Sequence, residues 1–271
     1  RDTESNTNHA QGGVACVLDP LDSFENHIRD TLTTGKGLSD IEVVRTLVHE
    51  GPQRIKDLIE WGALFSKSSK KSNPYNLDLG KEGGHSFNRI VHANDLTGSE
   101  LERILINKAK SDPKIHILEH HCAIDLITDY HIKKSANGHR CHGVYVLDTV
   151  TNSIEPHLSK ITCLSTGGSC QVYLHTTNPD IATGDGIAMA YRAGARIANM
   201  EFIQFHPTTL YHENADSFLI SEALRGFGAI LRTRSGEEFM ARYHMLKSLA
   251  PRDVVAQAID NEMKLSGEPC V

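Results

Sequence analysis

The stretch KITCLSTGG, residues 160–168, decides the fold class, because a short apolar run ends there in two glycines. Such a run predicts a buried strand, and Gly167-Gly168 predicts a tight turn at its carboxyl end. A second glycine-rich turn, Gly184-Asp185-Gly186, opens the helical pattern of residues 185–195. Strands that lead into glycine turns and helices are typical of α/β domains, whose ligands bind beyond the carboxyl ends of the strands.

On both sides of this stretch, the chain alternates helical and strand-like patterns. Ser39 and Glu42 have the spacing of a capping box, and Pro52 predicts the start of a helix that ends at Gly62. Asn137-Gly138 predicts a turn between two strands. The other predicted elements are helices over residues 23–33 and 97–108, and strands over 115–118, 124–127, 143–147 and 160–165. The texture of the sequence changes near residue 199, where we place a domain boundary.

Composition excludes several classes of protein. The chain has 271 residues, of which 39% are hydrophobic, so it can build a core of one large or two modest domains. Asp and Glu (34) outnumber Lys and Arg (28), which disfavours a nucleic-acid partner. No run of 18 apolar residues exists, so we expect no membrane span. The six cysteines form no CxxC pair, so we expect reduced thiols, no disulfide framework and no metal site.

Charged and imidazole side chains recur within small or apolar surroundings. Arginine binds carboxylates in a bidentate manner and glutamate can hold an ammonium group, so this combination suits a dicarboxylate substrate. Taken singly, each residue is more often part of a surface ion pair or a helix cap. The residues are Glu82, His85, Arg89, His92, His206, Glu222, Arg225 and Arg252.

Seven motifs carry a resemblance to a known family. The segment Glu-Gly-Gly-His-Ser of residues 82–86, followed by Arg-Ile-Val-His-Ala of residues 89–93, resembles L-aspartate oxidase within the succinate dehydrogenase/fumarate reductase flavoprotein superfamily. Gln-Phe-His-Pro at 204–207 and Arg-Asp-Val-Val at 252–255 are shared across that superfamily. The motifs occur in family order over essentially the whole chain, at residues 7–13, 82–93, 176–179, 183–186, 201–208, 221–226 and 249–255.

The resemblance implies a fold and a reaction. We expect an α/β fold, with an incomplete Rossmann-like FAD-binding domain over residues 1–199 and part of an α+β capping domain over 200–271. The family oxidises L-aspartate to iminosuccinate with non-covalent FAD, and O2 or fumarate reoxidises the flavin. Quinolinate synthase then uses the unstable imine on the route to NAD, so it is a candidate partner.

The resemblance also implies cofactor residues. The loop Asn6, Thr7, Asn8, His9, Ala10, Gln11, Gly12 and Gly13 matches the segment that wraps the flavin and its pyrophosphate. Glycines there allow backbone amides to approach closely. His9 lies near the position of the flavin-linking histidine of respiratory relatives, and we interpret it as non-linking. Thr166, Gly167 and Gly168 match the glycine turn near the cofactor, and Asp185 matches a flavin-contacting acid.

The substrate residues follow from the same comparison. Glu82 resembles the glutamate that pairs with the α-ammonium group and so distinguishes aspartate from succinate. His206 matches a ligand of a substrate carboxylate, Ser221 stands where the family usually has threonine, and Glu222 follows it. Arg252 matches the proton-transfer arginine. Because an arginine stays protonated at physiological pH, we expect Arg252 to act largely by position and charge.

Two alternatives stay open. The chain can instead be a succinate dehydrogenase or fumarate reductase flavoprotein subunit, or an inactive remnant. It begins with Arg1 rather than Met and lacks the GxGxxG motif, so we expect a fragment that binds FAD poorly and is inactive alone. Residues 4–8 resemble plastid members of the family, which favours a plastid location; a bacterial protein would be cytoplasmic.

Overall fold

The computed structural model describes residues 4–69, 73–133, 140–215 and 217–271. Contacts divide the chain into two compact units. The first contains Arg1–Asn6 and Ala109–Ile203, and the second contains Thr7–Lys108 and Gln204–Val271. The predicted division into residues 1–199 and 200–271 stays a prediction, since these units group residues by packing and not by cofactor or substrate.

The first unit is built on a three-stranded antiparallel sheet. Its strands are β4 (His121–Thr128), β5 (Cys141–Asp148) and β6 (Ser153–Leu158), in that order across the sheet. The register pairs His121 with Asp148 and Gly143 with Leu158. Helix α4 (Asp129–Lys133) follows β4. Helix α5 (Asp185–Arg192) lies against strand β4. Arg192 fixes α5 there by donating to the Ile124 carbonyl at 2.8 Å.

The second unit combines a small sheet with helices. Strand β3 (Ile90–Val91) lies between β1 (Val14–Ala15) and β2 (Leu79–Gly80), and both pairings are antiparallel. The helices are α1 (Phe24–Thr34), α2 (Ile41–Glu60), α3 (Thr97–Ser111), α6 (Ala223–Gly226) and α7 (Arg252–Ser266). One apolar cluster packs the sheet against α2 and α3, and a second packs around α7; their buried members are Cys16, Ile55, Phe65, Leu77, Val91 and Ile104, and Phe239, Met240, Val255 and Ala258.

The predicted start of helix α2 is wrong in two respects. Asp40, not Ser39, is the N-cap, and its carboxylate accepts hydrogen bonds from the backbone N–H groups of Glu42 (2.9 Å) and Val43 (3.2 Å). Pro52 lies inside this helix and does not start another. The helix continues through Pro52 because Val48 and Ile55 bury the same face on either side of it.

Two predicted strands are absent. Residues 115–118 form no strand: they follow a turn in which the Ile115 N–H donates to the Asp112 carbonyl, and strand β4 begins only at His121. Residues 160–165 belong to no strand, and no described strand pairs with them. An apolar run becomes a strand only beside a hydrogen-bonded neighbour. The predicted strands at 124–127 and 143–147 are confirmed, whereas the turn at Asn137-Gly138 lies outside the described residues.

No helix within the described ranges is both long enough and apolar enough to cross a membrane. In the same part of the chain, no group of three or more His, Cys, Asp or Glu side chains is arranged to hold a metal ion.

The N-cap assignment gives a stability prediction. Replacing Asp40 by Ala should lower the free energy of unfolding by about 1 kcal/mol, because two backbone N–H groups of α2 lose their acceptor. Ser39→Ala is the matched control and should change it by less than about 0.5 kcal/mol. Urea unfolding of the intact protein measures both. A larger loss in Ser39→Ala than in Asp40→Ala would contradict the assignment.

Candidate functional site

The first unit gathers five of the predicted cofactor residues. Gly167 has a left-handed backbone (φ 73°), and a Cβ there would lie 3.6 Å from the Asn6 amide nitrogen. The Thr166 hydroxyl accepts the Gly186 N–H at 3.1 Å, and the Gly168 carbonyl accepts the Gly184 N–H at 3.0 Å. The glycine turn therefore rests on the N-terminus of helix α5.

Asp185 is the first residue of that helix. Its carboxylate accepts a hydrogen bond from the Thr183 hydroxyl at 2.8 Å and is exposed. The side-chain oxygen of Asn6 is buried and has no hydrogen-bond partner. A buried acceptor without a donor is costly, so this atom fits a ligand that supplies an N–H or O–H group.

The second unit holds the rest of the predicted cofactor loop. Thr7 and Ala10 close a turn through the Ala10 N–H and the Thr7 carbonyl (3.1 Å), and the Gly98 N–H of helix α3 donates to the Ala10 carbonyl (2.9 Å). A Cβ on Gly98 would lie 1.8 Å from the Thr7 carbonyl oxygen. Only glycine permits this approach between helix and loop. Asn8 is partly buried between Thr7 and the exposed His9.

The loop then turns into strand β1. Gly13 packs so tightly on β3 that a Cβ would lie 2.4 Å from the Val91 carbonyl oxygen. The Gln11 amide nitrogen lies 3.5 Å from the Leu219 carbonyl, and its amide oxygen is buried without a partner. The glycines and this second orphaned acceptor fit a cofactor rich in hydroxyl and N–H groups, such as FAD.

Glu82 lies beside this loop. Its Oε1 accepts the Gly13 N–H at 3.3 Å, and a Cβ on Gly12 would lie 3.4 Å from the same oxygen. A Cβ on Gly83 would lie 3.4 Å from the carboxylate of Glu222. Glu222 therefore lies beside the short segment Glu82-Gly83.

Glu222 is paired with Arg252. The Arg252 Nε donates to Glu222 Oε2 at 2.6 Å, and a nitrogen of Arg225 lies 3.9 Å from the same oxygen. The Arg225 side chain is buried, and it donates to the Ser248 carbonyl at 3.0 Å. Its Nε and its Nη2, the nitrogen nearest Glu222, are buried without a hydrogen bond. Burial lowers the pKa of Arg225, as does the neighbouring Arg252.

His206 reaches this group through a short antiparallel ladder. Thr209 pairs with Leu219, the Ile220 N–H donates to the Thr208 carbonyl, and the register thus carries His206 opposite Glu222. Burial lowers the pKa of His206, and the Arg252 guanidinium acts in the same direction. Its Nδ1 lies 3.0 Å from the Thr208 carbonyl oxygen. Ser221 adjoins Glu222 and its carbonyl accepts the Leu224 N–H.

The remaining polar candidates do not join this group. Arg89 is fully buried and binds two carboxylates of its own unit, Asp22 and Asp30. His85 Nδ1 lies 3.3 Å from a nitrogen of Arg89, and His92 contacts Asp78 at 3.5 Å. Arg89 is therefore not a substrate ligand; it supports the loop that carries Glu82.

The sequence predictions missed three contributors. Gly98 looks like an ordinary residue of a helix in the sequence. A glycine near a helix start can nevertheless indicate that another backbone segment packs closely against the helix. Asp22 and Asp30 lack a sequence signal, because their role depends on a partner more than 50 residues away.

A comparison with protein-family models matches the FAD binding domain over residues 1–271. The chain belongs to this FAD-binding family. It is 49% identical to L-aspartate oxidase 2-b, chloroplastic, of Nicotiana tabacum over 99% of the chain and 41% of that protein. It is 50% identical to L-aspartate oxidase 1 of Ralstonia nicotianae over 99% of the chain and 50% of that protein.

A solved structure is similar as well. The FrdA subunit of E. coli quinol fumarate reductase, in a mutated form, has a TM-score of 0.85 and 29% identity, covering 97% of this chain and 44% of that one. The predicted superfamily, mixed helix-and-sheet fold class and FAD cofactor are thereby confirmed. The chain spans about half the length of the curated relatives it matches.

The glycine contacts give a prediction on cofactor retention. Gly98→Ala should displace the loop of residues 7–10 and lower the FAD content of the intact protein several-fold, because its Cβ would overlap the Thr7 carbonyl. Gly51→Ala is the matched control: it is also helical, and its Cβ would lie 3.8 Å from Cys16 Sγ, an ordinary contact. Flavin released per protein is the measurement. Equal FAD content in the two variants would count against the assigned loop.

His85, in the loop that carries Glu82, and His27 of helix α1 give a pH prediction. Burial lowers the pKa of His85 and of His27, and Arg89 acts in the same direction. The folded state thus keeps both rings neutral, while unfolded rings take up protons near pH 6.5. The free energy of unfolding should therefore be highest above pH 6.5 and fall as the pH drops, by at most about 1.4 kcal/mol per pH unit for each ring.

The variant His85→Asn keeps an acceptor for Arg89 and removes one titrating ring. The free energy of unfolding should therefore decrease less steeply between pH 6.5 and pH 5, by about the contribution of one ring. His116→Asn, at an exposed position, is the control. Urea unfolding across this range measures the slope. An unchanged slope in His85→Asn would refute the explanation.

Proposed function

We propose that the chain is the FAD-binding part of an L-aspartate oxidase, which oxidises L-aspartate to iminosuccinate. The observation that carries this proposal is the position of Glu82, between the glycine loop and the Glu222–Arg252 pair. The 49–50% identity to L-aspartate oxidases supports it. FAD is the two-electron acceptor when it is bound, and the family resemblance assigns residues 6–13, 166–168 and 185 to it without a covalent link.

Charge explains why an amino dicarboxylate suits this site. Arg225 and Arg252 bring two positive charges and Glu222 one negative charge, while burial keeps His206 neutral near pH 7. Glu222 offsets only one of the two guanidinium charges, and the excess attracts the substrate carboxylates, to which His206 and Ser221 add polar contacts. Glu82 adds a carboxylate that the α-ammonium group can pair with. Succinate lacks that group and would leave Glu82 unpaired.

Proton transfer falls to the arginine–glutamate pair. Oxidation of the amine removes a hydride from Cα and a proton from nitrogen. Glu222 is hydrogen-bonded to Arg252, which is the more exposed of its two arginine neighbours, and Arg225 is the buried one. We assign to Arg252 the positioning of charge at the reacting carbon and to Glu222 the role of carrying the proton away.

The same chemistry suggests acceptors and a downstream partner. Fumarate is a dicarboxylate and fits the arginine-rich site, in line with the similarity to FrdA, and O2 needs no site of its own. The imine is unstable in water, so an enzyme that consumes it, such as quinolinate synthase on the route to NAD, is a suitable partner. Plastid and bacterial relatives match equally well; we infer a plastid location for a plant source and the cytoplasm for a bacterial one.

The alternative candidate is a flavoprotein subunit of succinate dehydrogenase or fumarate reductase, favoured by the similarity to FrdA. Its 29% identity is well below that of the aspartate oxidases. An inactive remnant is the third candidate. Flavin reduction separates the three.

The test uses the intact, FAD-loaded protein under anaerobic conditions. Addition of L-aspartate should bleach the visible absorbance of the flavin, and succinate should not. Glu82→Gln should raise the aspartate concentration needed for half-maximal reduction by about tenfold or more, because the ammonium group loses a charged partner.

The matched control for this substitution is Glu25→Gln, at an exposed position. It should leave the response to aspartate unchanged. Bleaching by succinate alone would favour the respiratory alternative, and no bleaching of bound flavin would favour the inactive one. Equal effects of Glu82→Gln on the binding of aspartate and succinate would contradict the role of Glu82.

A further inference from the structure

The segment that carries Glu82 is held by a group of side chains that the proposed reaction does not use. Strands β2 and β3 pair Gly80 with Ile90, and the Arg89 N–H donates to the Gly80 carbonyl at 3.1 Å. Residues 81–88 thus form a loop closed at its base. Within it, Lys81 Nζ reaches across to the Ser86 carbonyl at 3.1 Å.

Asp30 of helix α1 binds the far side of this loop. Its Oδ2 accepts the backbone N–H of Ser86 (2.8 Å), the Ser86 hydroxyl (2.6 Å) and a guanidinium nitrogen of Arg89 (2.7 Å). Burial opposes ionisation of Asp30, but these hydrogen bonds outweigh it and lower the pKa of the carboxyl. Asp30 is therefore a charged acceptor at neutral pH, and hydrogen bonds to a charged group are the strong ones.

Arg89 completes the arrangement. Its Nε and one terminal nitrogen form a bidentate pair with Asp22 at 2.8 Å each, and both side chains are fully buried. The other terminal nitrogen divides between Asp30 and His85 Nδ1. Because a guanidinium only donates, His85 must accept there, which fixes its neutral form with the proton on Nε2. We call Asp30, Ser86, His85 and Arg89 the loop clasp.

The clasp lies next to Glu82 along the chain. The His85 N–H donates to the Glu82 carbonyl at 3.2 Å, and Gly84 takes a left-handed backbone (φ 84°) close to Thr34. Two glycines between Glu82 and His85 give the segment no rigidity of its own, since glycine loses the most backbone freedom on folding. The position of the Glu82 carboxylate therefore depends on the anchors that follow it.

We propose that Asp30 is a positioning residue for recognition of the substrate amino group: through Ser86 and Arg89 it holds Glu82 where an α-ammonium group binds. This inference rests on the proposed function. It goes beyond it in assigning specificity for an amino substrate to a carboxylate on helix α1 that does not touch the substrate. Loosening the clasp weakens binding of the amino group and leaves binding of the carboxylates intact.

A double-mutant cycle tests this in the intact, FAD-loaded protein. Asp30→Asn should raise KM for L-aspartate about tenfold with little change in kcat, and should change inhibition by succinate by less than about twofold. In a Glu82→Gln background, the same substitution should change KM for aspartate by less than about twofold, because Asp30 acts through Glu82. A general loss of structure would instead lower FAD content, kcat and succinate binding together.

Ser86→Ala provides a milder variant that removes only the hydroxyl bond to Asp30, and it decides the matter if Asp30→Asn fails to retain FAD. Asp260→Asn, whose carboxylate pairs with exposed Lys264, is the matched control and should leave KM unchanged. If the effects of Asp30→Asn and Glu82→Gln on KM for aspartate were additive, the inference would be overturned and the proposed function would stand. Absence of aspartate oxidation in the unsubstituted protein would overturn the proposed function, and the inference with it.

Discussion

The buried ion pair of Arg89 with Asp22 and Asp30 is the interaction on which the candidate site depends. A fully buried guanidinium is tolerated only because two carboxylates neutralise it and accept its protons. Removing one partner of such a group costs about 3–5 kcal/mol, since the other charge stays buried. The pair joins the start of helix α1, its C-terminal half and strand β3. It thereby fixes the base from which the glycine loop of Glu82 projects.

A second constraint is the single carboxylate of Glu222 between two guanidinium groups. Glu222 offsets the charge of only one of the two arginines, and Glu82, which adjoins Gly83, supplies the second negative charge. In the proposed function, a substrate carboxylate pairs with the arginines and the α-ammonium group pairs with Glu82. Arg225 is buried with two nitrogens lacking hydrogen bonds, and Arg252 is only partly buried. Arg225 is therefore the buried charge of this cluster and Arg252 the more accessible one, and in the proposed function Arg252 is the one that meets the substrate.

Motifs in the sequence predicted the family, the cofactor and the residues of both candidate regions, because glycine turns and charged residues in small surroundings leave a local pattern. The structure brings Glu82 and Glu222 together, but their assigned roles stay predictions. Long-range pairings were not predictable: Asp30 meets Ser86 and Arg89 through folding alone.

The prediction of a strand at residues 160–165 was wrong for a related reason: an apolar run does not reveal whether a neighbour pairs with it. The helix expected to start at Pro52 failed because burial of one continuous face outweighed a local helix-breaking signal.

The hydrogen bond from Gly13 to Glu82 has a consequence for how specificity arises. The same glycine that lets the cofactor loop lie against strand β3 also supplies an N–H to the predicted reader of the amino group. Displacement of the loop thus moves a donor away from Glu82, and displacement of Glu82 leaves a loop amide without its acceptor. In the proposed function, cofactor retention and selectivity for an amino substrate therefore depend on one packed group of residues. The loop clasp binds the residues that follow Glu82, and this is the route by which the further inference lets a carboxylate on helix α1 influence a substrate that it does not touch.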